Sequence, residues 1–447
     1  MKAIFFSNAK KLTTSSEREK ILAFAEEGIR SVTPARVLPK VLSLNKNVLI
    51  VRGKSFGIKD KRIFVIGAGK SSAAMAVELE RILGIERITA GIVVSNDGFS
   101  YPRKIIVHQA DHPIPSRRGF LGARKIFALK KKFCIGKDDI VIALFSGGAS
   151  ALMPYPVSGV SLKDKKILTE VFLQSGIDNR KLGIVRKKIS RVKGGNLAEY
   201  FYPAQIISLI LSDTVGNDYA LTAGGPCTED KTTFKDAWRV INQSHIKRKI
   251  PVAISSYIKS HIEKKEKKSN FRRVFQICIG DNETALRSIA VYAKKEGMRV
   301  KINAPISGEA RKVAYAICAE LHKKSIHRPT LFMYGGETTV SLPRRHGKGG
   351  RNQEFVTACL SFLSRKPFSG KWAVASIATD GVDFIKESAG AVADNDSLDI
   401  LHRKKFQINT VLKNHNAFPF LSRINSNVSI LRGTETNVGD IILFLFL

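Results

Sequence analysis

Residues 62–72, RIFVIGAGKSS, decide the fold. Four consecutive apolar residues, Ile63, Phe64, Val65 and Ile66, show no alternation and so read as a strand buried on both faces. The Gly67-x-Gly69 turn then breaks the run, and Ser71 and Ser72 open an amphipathic segment, so the order is strand, glycine turn, helix. Outward from this point the same order recurs. Apolar runs at 91–94, 105–107, 140–145 and 206–211 each give way to a turn and an amphipathic stretch. A lysine-rich helix-plus-linker region at 247–273 follows, and then a second series of apolar runs at 274–279, 300–304, 331–333, 374–378, 428–431 and 441–447. Residues 18–43 carry helical periodicity and divide into two helices at Pro34. The expected fold is therefore α/β in two domains, residues 1–245 and 246–447, with ligands at the carboxyl ends of the strands. The halves share an architecture without a residue-level repeat.

A chain of 447 residues exceeds one ordinary core, which agrees with two domains. Lys and Arg number 74 against 38 Asp and Glu, a net charge of +36. Such a balance raises nucleic acid or an anionic membrane as a partner. The cations are spread along the whole chain, however, and the local run KKEKKSNFRR at 264–273 lacks the interleaved aromatics of an RNA-binding surface. No specific nucleic acid and no membrane is expected as a partner; the field suits small anionic substrates. Cysteines 134, 227, 278, 318 and 359 form no Cys-x-x-Cys, so neither a zinc site nor a disulfide framework is indicated. The first residues, MKAIFFSNAKKL, hold an apolar run too short for a signal sequence, and no run reaches membrane-spanning length. A cytoplasmic, reduced protein is expected.

The chemistry-bearing residues sit in the glycine turns. Lys70 follows Gly67 and Gly69 at a strand end, a point charge suited to an anion. The turn nearly matches two phosphate-binding motifs and fails both. Ser72 stands where a dinucleotide fingerprint has its third glycine, and Phe64 where a P-loop has its first. Ser146, Gly147, Gly148 and Ser150 form a second such turn, able to hold phosphate or carboxylate oxygens; Leu144 and Phe145 exclude a hydrolase elbow. Arg186 and its lysine neighbours precede the pair Gly194-Gly195. Asp213 and Asp218 follow the strand at 206–211, where carboxylates hold Mg²⁺ or act as a base; capping is the competing role for Asp213. Asp380 and Asp383 end a later strand, with capping and ligand roles both open. His112, in a Pro-rich turn, reads as structural.

Residues 334–355, YGGETTVSLPRRHGKGGRNQEF, carry two glycine pairs around a cationic turn. Gly335, Gly336, Glu337, Thr338 and Asn352 are candidate ligand contacts, and Arg351 is placed at a helix start whose N–H groups would suit phosphate. A Gly-rich hairpin with a solvated basic tip is the plainer alternative. Cationic glycine turns beside carboxylates, with no Cys or His constellation, favour phosphoryl transfer, which needs charge clamps more than a covalent nucleophile.

The motifs VIGAGKSSAAMA, DHPIPS, LFSGGASALM, VRKKISRVKGGNLA, LSDTVGNDYALTAGGP, GGETTV, GKGGRNQEF, ATDGVDF with SAGAVAD, and TNVGD occur in this order from about residue 20 to the end. The ordered set resembles the bacterial-type glycerate 2-kinases with a C-terminal MOFRL domain, a family formerly labelled hydroxypyruvate reductases. The resemblance implies ATP-dependent phosphorylation of D-glycerate at its 2-hydroxyl with Mg²⁺. It also implies an N-terminal Rossmann-like parallel sheet, a smaller C-terminal α/β domain and a site in the cleft between them. Carried over by motif, Lys70, Asp213 and Arg351 are the residues central to catalysis. Asp213 would orient or deprotonate the hydroxyl, and the two cations would share the phosphoryl and the glycerate carboxylate. The chain departs from the family at Ser116, at Gly224 and Cys227 around Pro226, and at residues 432–435. An NAD(P)H-dependent hydroxypyruvate reductase is the alternative, weakened by the absent third glycine and ribose acid. Oligomeric state is open, a homodimer included.

Overall fold

In the computed structural model, residues 5–175, 179–214, 216, 218–243, 246–264 and 270–447 are described, so the middle of the basic run 264–273 falls outside them. Two compact units result, one of residues 37–279 and one of residues 1–36 with 280–447. The first begins with an antiparallel meander absent from the sequence reading, β1 (Leu42–Asn45), β2 (Val48–Val51) and β3 (Lys54–Gly57). These strands are only four residues each, too short for their periodicity to be read.

Its main sheet has six strands: β4 (Ile63–Ala68), β5 (Ile88–Ser95), β6 (Ile106–Gln109), β7 (Ile140–Ser146), β8 (Gln205–Leu211) and β9 (Val274–Gly280). Every residue of β4 and β7 is buried, as the unalternating runs required. The spatial order is β6-β5-β4-β7-β8-β9, and the ladders joining β6 to β5, β5 to β4, β4 to β7 and β7 to β8 are parallel. This is the Rossmann order, which reverses direction between its first and fourth strands and leaves a crevice there. In this sheet those strands are β4 and β7. Phe64, Phe145 and Phe201 are buried in a core on one side of the sheet.

The second unit is built on a seven-stranded sheet: β10 (Arg299–Ile302), β11 (Ile306–Glu309), β12 (Thr330–Thr339), β13 (Trp372–Ala378), β14 (Gly390–Asp394), β15 (Asn427–Val428) and β16 (Asp440–Phe446). Here the expectation of a second set of parallel strands needs correction. β16 lies between β12 and β13 and runs antiparallel to both, and β14 is antiparallel to β13. A last strand with no helix after it can enter the middle of a sheet in either sense, and sequence periodicity does not distinguish the two. β16 is buried throughout, so the run at 441–447 is the centre of the sheet.

Two boundaries also differ from the expected division at 245/246. Val274–Gly280 closes the first sheet as the neighbour of β8, with the Ile206 N–H donating to the Arg273 carbonyl at 2.8 Å. The N-terminal helix Ser16–Ser31 belongs with the C-terminal unit, packing on helix Asn282–Lys295 and on β13 and β16. Gly28 makes this approach close: a Cβ there would stand 2.6 Å from Ile289 Cδ1. Arg18 fixes the helix from inside, its Nε 3.1 Å from Asp394 and its Nη atoms donating to the Asn425 carbonyl (2.6 Å), Ser397 (2.7 Å) and Ser426 (3.0 Å). A fully buried guanidinium is tolerated where its charge is paired and its terminal nitrogens are bonded in this way. Among the described residues, no helix is long and apolar enough to cross a membrane.

Candidate active site

The turns after β4 and β7 meet at the point where the strand order reverses. Their glycines are required by this contact. A Cβ on Gly67 would lie 2.2 Å from the Leu144 carbonyl oxygen, and one on Gly69 (φ +141°) 2.1 Å from Ser146 Oγ. Ser146 is fully buried and accepts the Ser71 N–H at 2.9 Å, while the Gly147 carbonyl accepts the Lys70 N–H at 2.9 Å. Gly67, Gly69, Ser146 and Gly147 thus form the brace under the turn, where sequence reading had taken them for ligand contacts. What the brace presents is Lys70. Its stem lies over Gly148 (φ +83°), where a Cβ would be 3.2 Å from Lys70 Cγ and 3.0 Å from the His112 ring. Ser150 accepts a hydrogen bond from Lys193, whose ammonium also donates to the Ala223 carbonyl at 3.1 Å.

Asp213 and Asp218 follow β8, with Val215 and Asn217 outside the described residues. One Asp218 oxygen accepts the Ala220 N–H at 2.8 Å. Among the described residues no group of three or more His, Cys, Asp or Glu side chains could hold a metal ion. Hard-oxygen donors from one or two carboxylates, completed by phosphate oxygens, are the donor set Mg²⁺ accepts, and Asp213 and Asp218 fit that limited role.

In the other unit the glycine-rich stretch differs from its reading. β12 does not stop before Gly335-Gly336 but runs through them to Thr339. A Cβ on Gly335 would overlap Asn282 Oδ1 at 1.5 Å, and one on Gly336 (φ +135°) would meet the Ile306 carbonyl at 2.1 Å. The pair admits a neighbouring side chain and strand. Thr338 is buried, while Glu337 is half exposed beside it. The basic turn 343–348 is anchored by Gly347 donating to Asn414 and Lys348 to Asn416.

Arg351 does start the helix Arg351–Leu363. The expected open helix terminus is nevertheless filled by a protein carboxylate. Asp383 accepts the N–H groups of Asn352 (3.1 Å) and Gln353 (2.9 Å), and Asn352 is buried with its side chain bonded to Asp383 and Ser376. Gly350 is what lets Asp383 in, since a Cβ there would be 2.1 Å from its carbonyl oxygen. The Arg351 guanidinium bonds Asp440 through Nε (2.6 Å) and Nη2 (2.9 Å), and Glu337 through Nη1 (2.8 Å). Burial works against the Arg351 charge, but Asp440 and Glu337 hold its pKa well above the ordinary value.

Burial likewise pushes the Asp383 carboxyl up to about 6, against the pull of the Asn352 N–H and Arg351. A carboxyl whose folded pKa is raised binds more protons folded than unfolded between about pH 4 and 6. Its contribution is therefore fully present at the acid end and is lost as pH rises. Relative to an Asp383→Asn variant, the natural chain should lose stability across that window in urea titrations; a flat difference would refute the shift.

At the departures from the family pattern, the structure shows local roles. Ser116 caps helix Arg117–Phe133 through the Gly119 N–H, and Cys227 is buried in the core. Thr434 and Thr436 bond the Thr379 and Val32 carbonyls. The sequence singles out neither the buried Lys165 nor Asp440, the partner of Arg351, while Lys193 is among the cations it places before a glycine pair. Lys193 stands immediately before a glycine pair, a signal of the same kind as Lys70 after Gly69.

A Rossmann-ordered sheet with a lysine-bearing turn at its switch point, joined in the chain to a mixed α/β unit, defines an α/β protein of the class that places ligands at the carboxyl ends of its strands. The comparisons agree in both units. Residues 20–259 match a domain of unknown function, DUF4147, and residues 330–440 match the MOFRL family. A glycerate 2-kinase of Pyrococcus horikoshii is 32% identical over 95% of this chain and 96% of its own. A "putative hydroxypyruvate reductase" of Agrobacterium vitis is 34% identical over 85% of this chain and 98% of its own. The crystal structure of glycerate kinase from Thermotoga maritima superposes with a TM-score of 0.79 at 26% identity, covering 96% of this chain and 99% of that one. The chain belongs to the glycerate 2-kinase family, with a MOFRL domain in its C-terminal unit.

Proposed function

We propose that this protein transfers the terminal phosphoryl group of ATP to the 2-hydroxyl of D-glycerate, giving 2-phosphoglycerate and ADP. The observation that carries the reading is the seating of Lys70 at the switch point between β4 and β7, in a chain similar over nearly its whole length to glycerate 2-kinases. Phosphoryl transfer is accelerated chiefly by neutralising charge on the moving group, and Lys70 is assigned that work. Asp213 is assigned to the acceptor hydroxyl, which it orients and whose proton it takes as the new P–O bond forms and the bond to ADP breaks. Mg²⁺, held by Asp213 and Asp218 with phosphate oxygens, would neutralise the nucleotide tail. Arg351, bonded to two carboxylates, is assigned to positioning Glu337 rather than to clamping phosphate directly.

The reductase reading has the Agrobacterium vitis name behind it. Against it, Ser72 is buried, with its hydroxyl donating to the Gly69 (2.8 Å) and Val94 (3.1 Å) carbonyls where a dinucleotide fingerprint needs its third glycine. The test is an assay with D-glycerate, Mg-ATP and enolase but no phosphoglycerate mutase. Phosphoenolpyruvate should form directly. If it forms only once mutase is added, the 2-position is wrong; hydroxypyruvate-dependent NAD(P)H oxidation would favour the reductase.

A further inference from the structure

Three cations of the 37–279 unit lie together: Lys165 on helix Leu162–Ser175 and Lys193 in the loop before helix Asn196–Phe201 are buried, and Arg186 on helix Asn179–Lys188 is partly buried beside them. Lys165 is 4% exposed and Lys193 3%. The Lys165 ammonium, which has three protons to donate, has no hydrogen-bond partner among the described residues. The acid nearest in sequence logic is already committed. Asp230 takes Lys187 and Lys188, each at 3.2 Å, leaving Arg186 out of the pairing.

Burying one unpaired ammonium costs several kcal/mol, and packing a second and third cation beside it adds repulsion. Burial and the neighbouring Arg186 depress Lys165 to about 7, and burial, Arg186 and Lys165 depress Lys193 well below the usual lysine range. Such a cluster is unfavourable as a purely structural device, since apolar side chains would fill the same space at less cost. It becomes favourable when an anion with several acceptor oxygens enters. A planar guanidinium fork and two ammonium groups supply the kind of donors a tetrahedral phosphoryl group accepts. Lys193 also ties the cluster to the turn after β7, through its bond to Ser150.

We propose that Lys165, Arg186 and Lys193 form a phosphoryl-binding site. The site stands on these residues alone; that its ligand is a nucleotide tail or a phosphorylated glycerate rests on the kinase reading. Calorimetric titration of the full chain with inorganic phosphate, ADP and 2-phosphoglycerate, with melting curves alongside, tests it. Lys165→Met should weaken phosphate binding by about tenfold or more, the loss expected for a charged hydrogen bond. It should also leave the ligand-free melting temperature unchanged or raised, because a desolvated charge is removed. Arg186→Lys keeps the charge and loses the fork, and should weaken phosphate binding by a smaller factor. Whichever of ADP and 2-phosphoglycerate loses affinity in parallel with phosphate identifies the source. Phosphate binding indifferent to both substitutions, or a Lys165→Met chain that melts several degrees lower without ligand, would overturn the site. Phosphate binding that depends on Lys165 in a protein unable to phosphorylate glycerate would uphold the site and remove the kinase reading; full glycerate turnover with phosphate binding indifferent to Lys165 would do the reverse.

Discussion

Lys70→Ala should lower glycerate-kinase turnover by at least about a hundredfold, the usual cost of deleting one electrostatic contact to a transition state. It should do so without loss of fold. The backbone of residue 70 is held independently of its side chain, by its N–H to the Gly147 carbonyl and its own carbonyl accepting from Ser95. The brace beneath it, Ser71 to Ser146, does not involve the ammonium. Truncation therefore removes charge and leaves the turn, and the thermal midpoint should move little. The loss should fall on kcat more than on KM if, as proposed, Lys70 meets the charge on the moving phosphoryl. Lys70→Arg preserves the charge and should recover part of the rate; the recovery is limited because a planar guanidinium does not reproduce the compact point charge of an ammonium. Turnover within a factor of a few of the natural chain, in a folded Lys70→Ala protein, would remove Lys70 from the mechanism.

The contrast between Gly69 and Gly350 shows what sequence could and could not convey. Both glycines mark a tight approach beside a turn or helix start that the sequence offers to a ligand. At Gly69 the neighbour is Ser146, from a turn that sequence had already singled out, and Lys70 remains as the presented group. At Gly350 the neighbour is Asp383, more than thirty residues on, and it occupies the anion position at the helix start. A one-dimensional pattern records that a Cβ is forbidden but not which atom forbids it. The sheet of the first unit was legible for a related reason. Ile63, Val65 and their counterparts in β7 are buried, and a strand covered on both faces of its sheet produces such a run. The antiparallel β16 gives an identical run, so its direction was hidden. Arg18 and Lys165 were illegible because each sits in a helix rich in charge, where a cation is ordinarily solvated. Burial came from the tertiary partners of those helices.

Arg351 supports a second large effect, this time on stability. Asp440 opens the central strand β16, opposite Gly336 of β12 and Ala378 of β13, and its side chain is 1% exposed. Arg351 is its ion-pair partner through two parallel bonds, a geometry that lysine cannot reproduce. Arg351→Ala leaves a carboxylate buried and unpaired, which costs about 3–5 kcal/mol. Because the arginine side chain is itself 27% exposed, water can reach part of the gap, and the lower end, about 3 kcal/mol, is expected. The bond to Glu337, half exposed, adds little to that figure. Arg351→Lys should lose about half as much, since one charged bond of the two can re-form. Pairing Arg351→Met with Asp440→Leu removes both charges and should restore most of the loss, so the double-mutant cycle isolates the pair from the general effect of substitution. Urea denaturation midpoints read all four states. An Arg351→Ala protein within about 1 kcal/mol of the natural chain would mean that Asp440 finds another partner. If instead stability falls as stated while Arg351→Lys, still folded, retains kcat with a raised KM, the arginine is a positioning group for Glu337. A fall in kcat alone would return it to the phosphoryl.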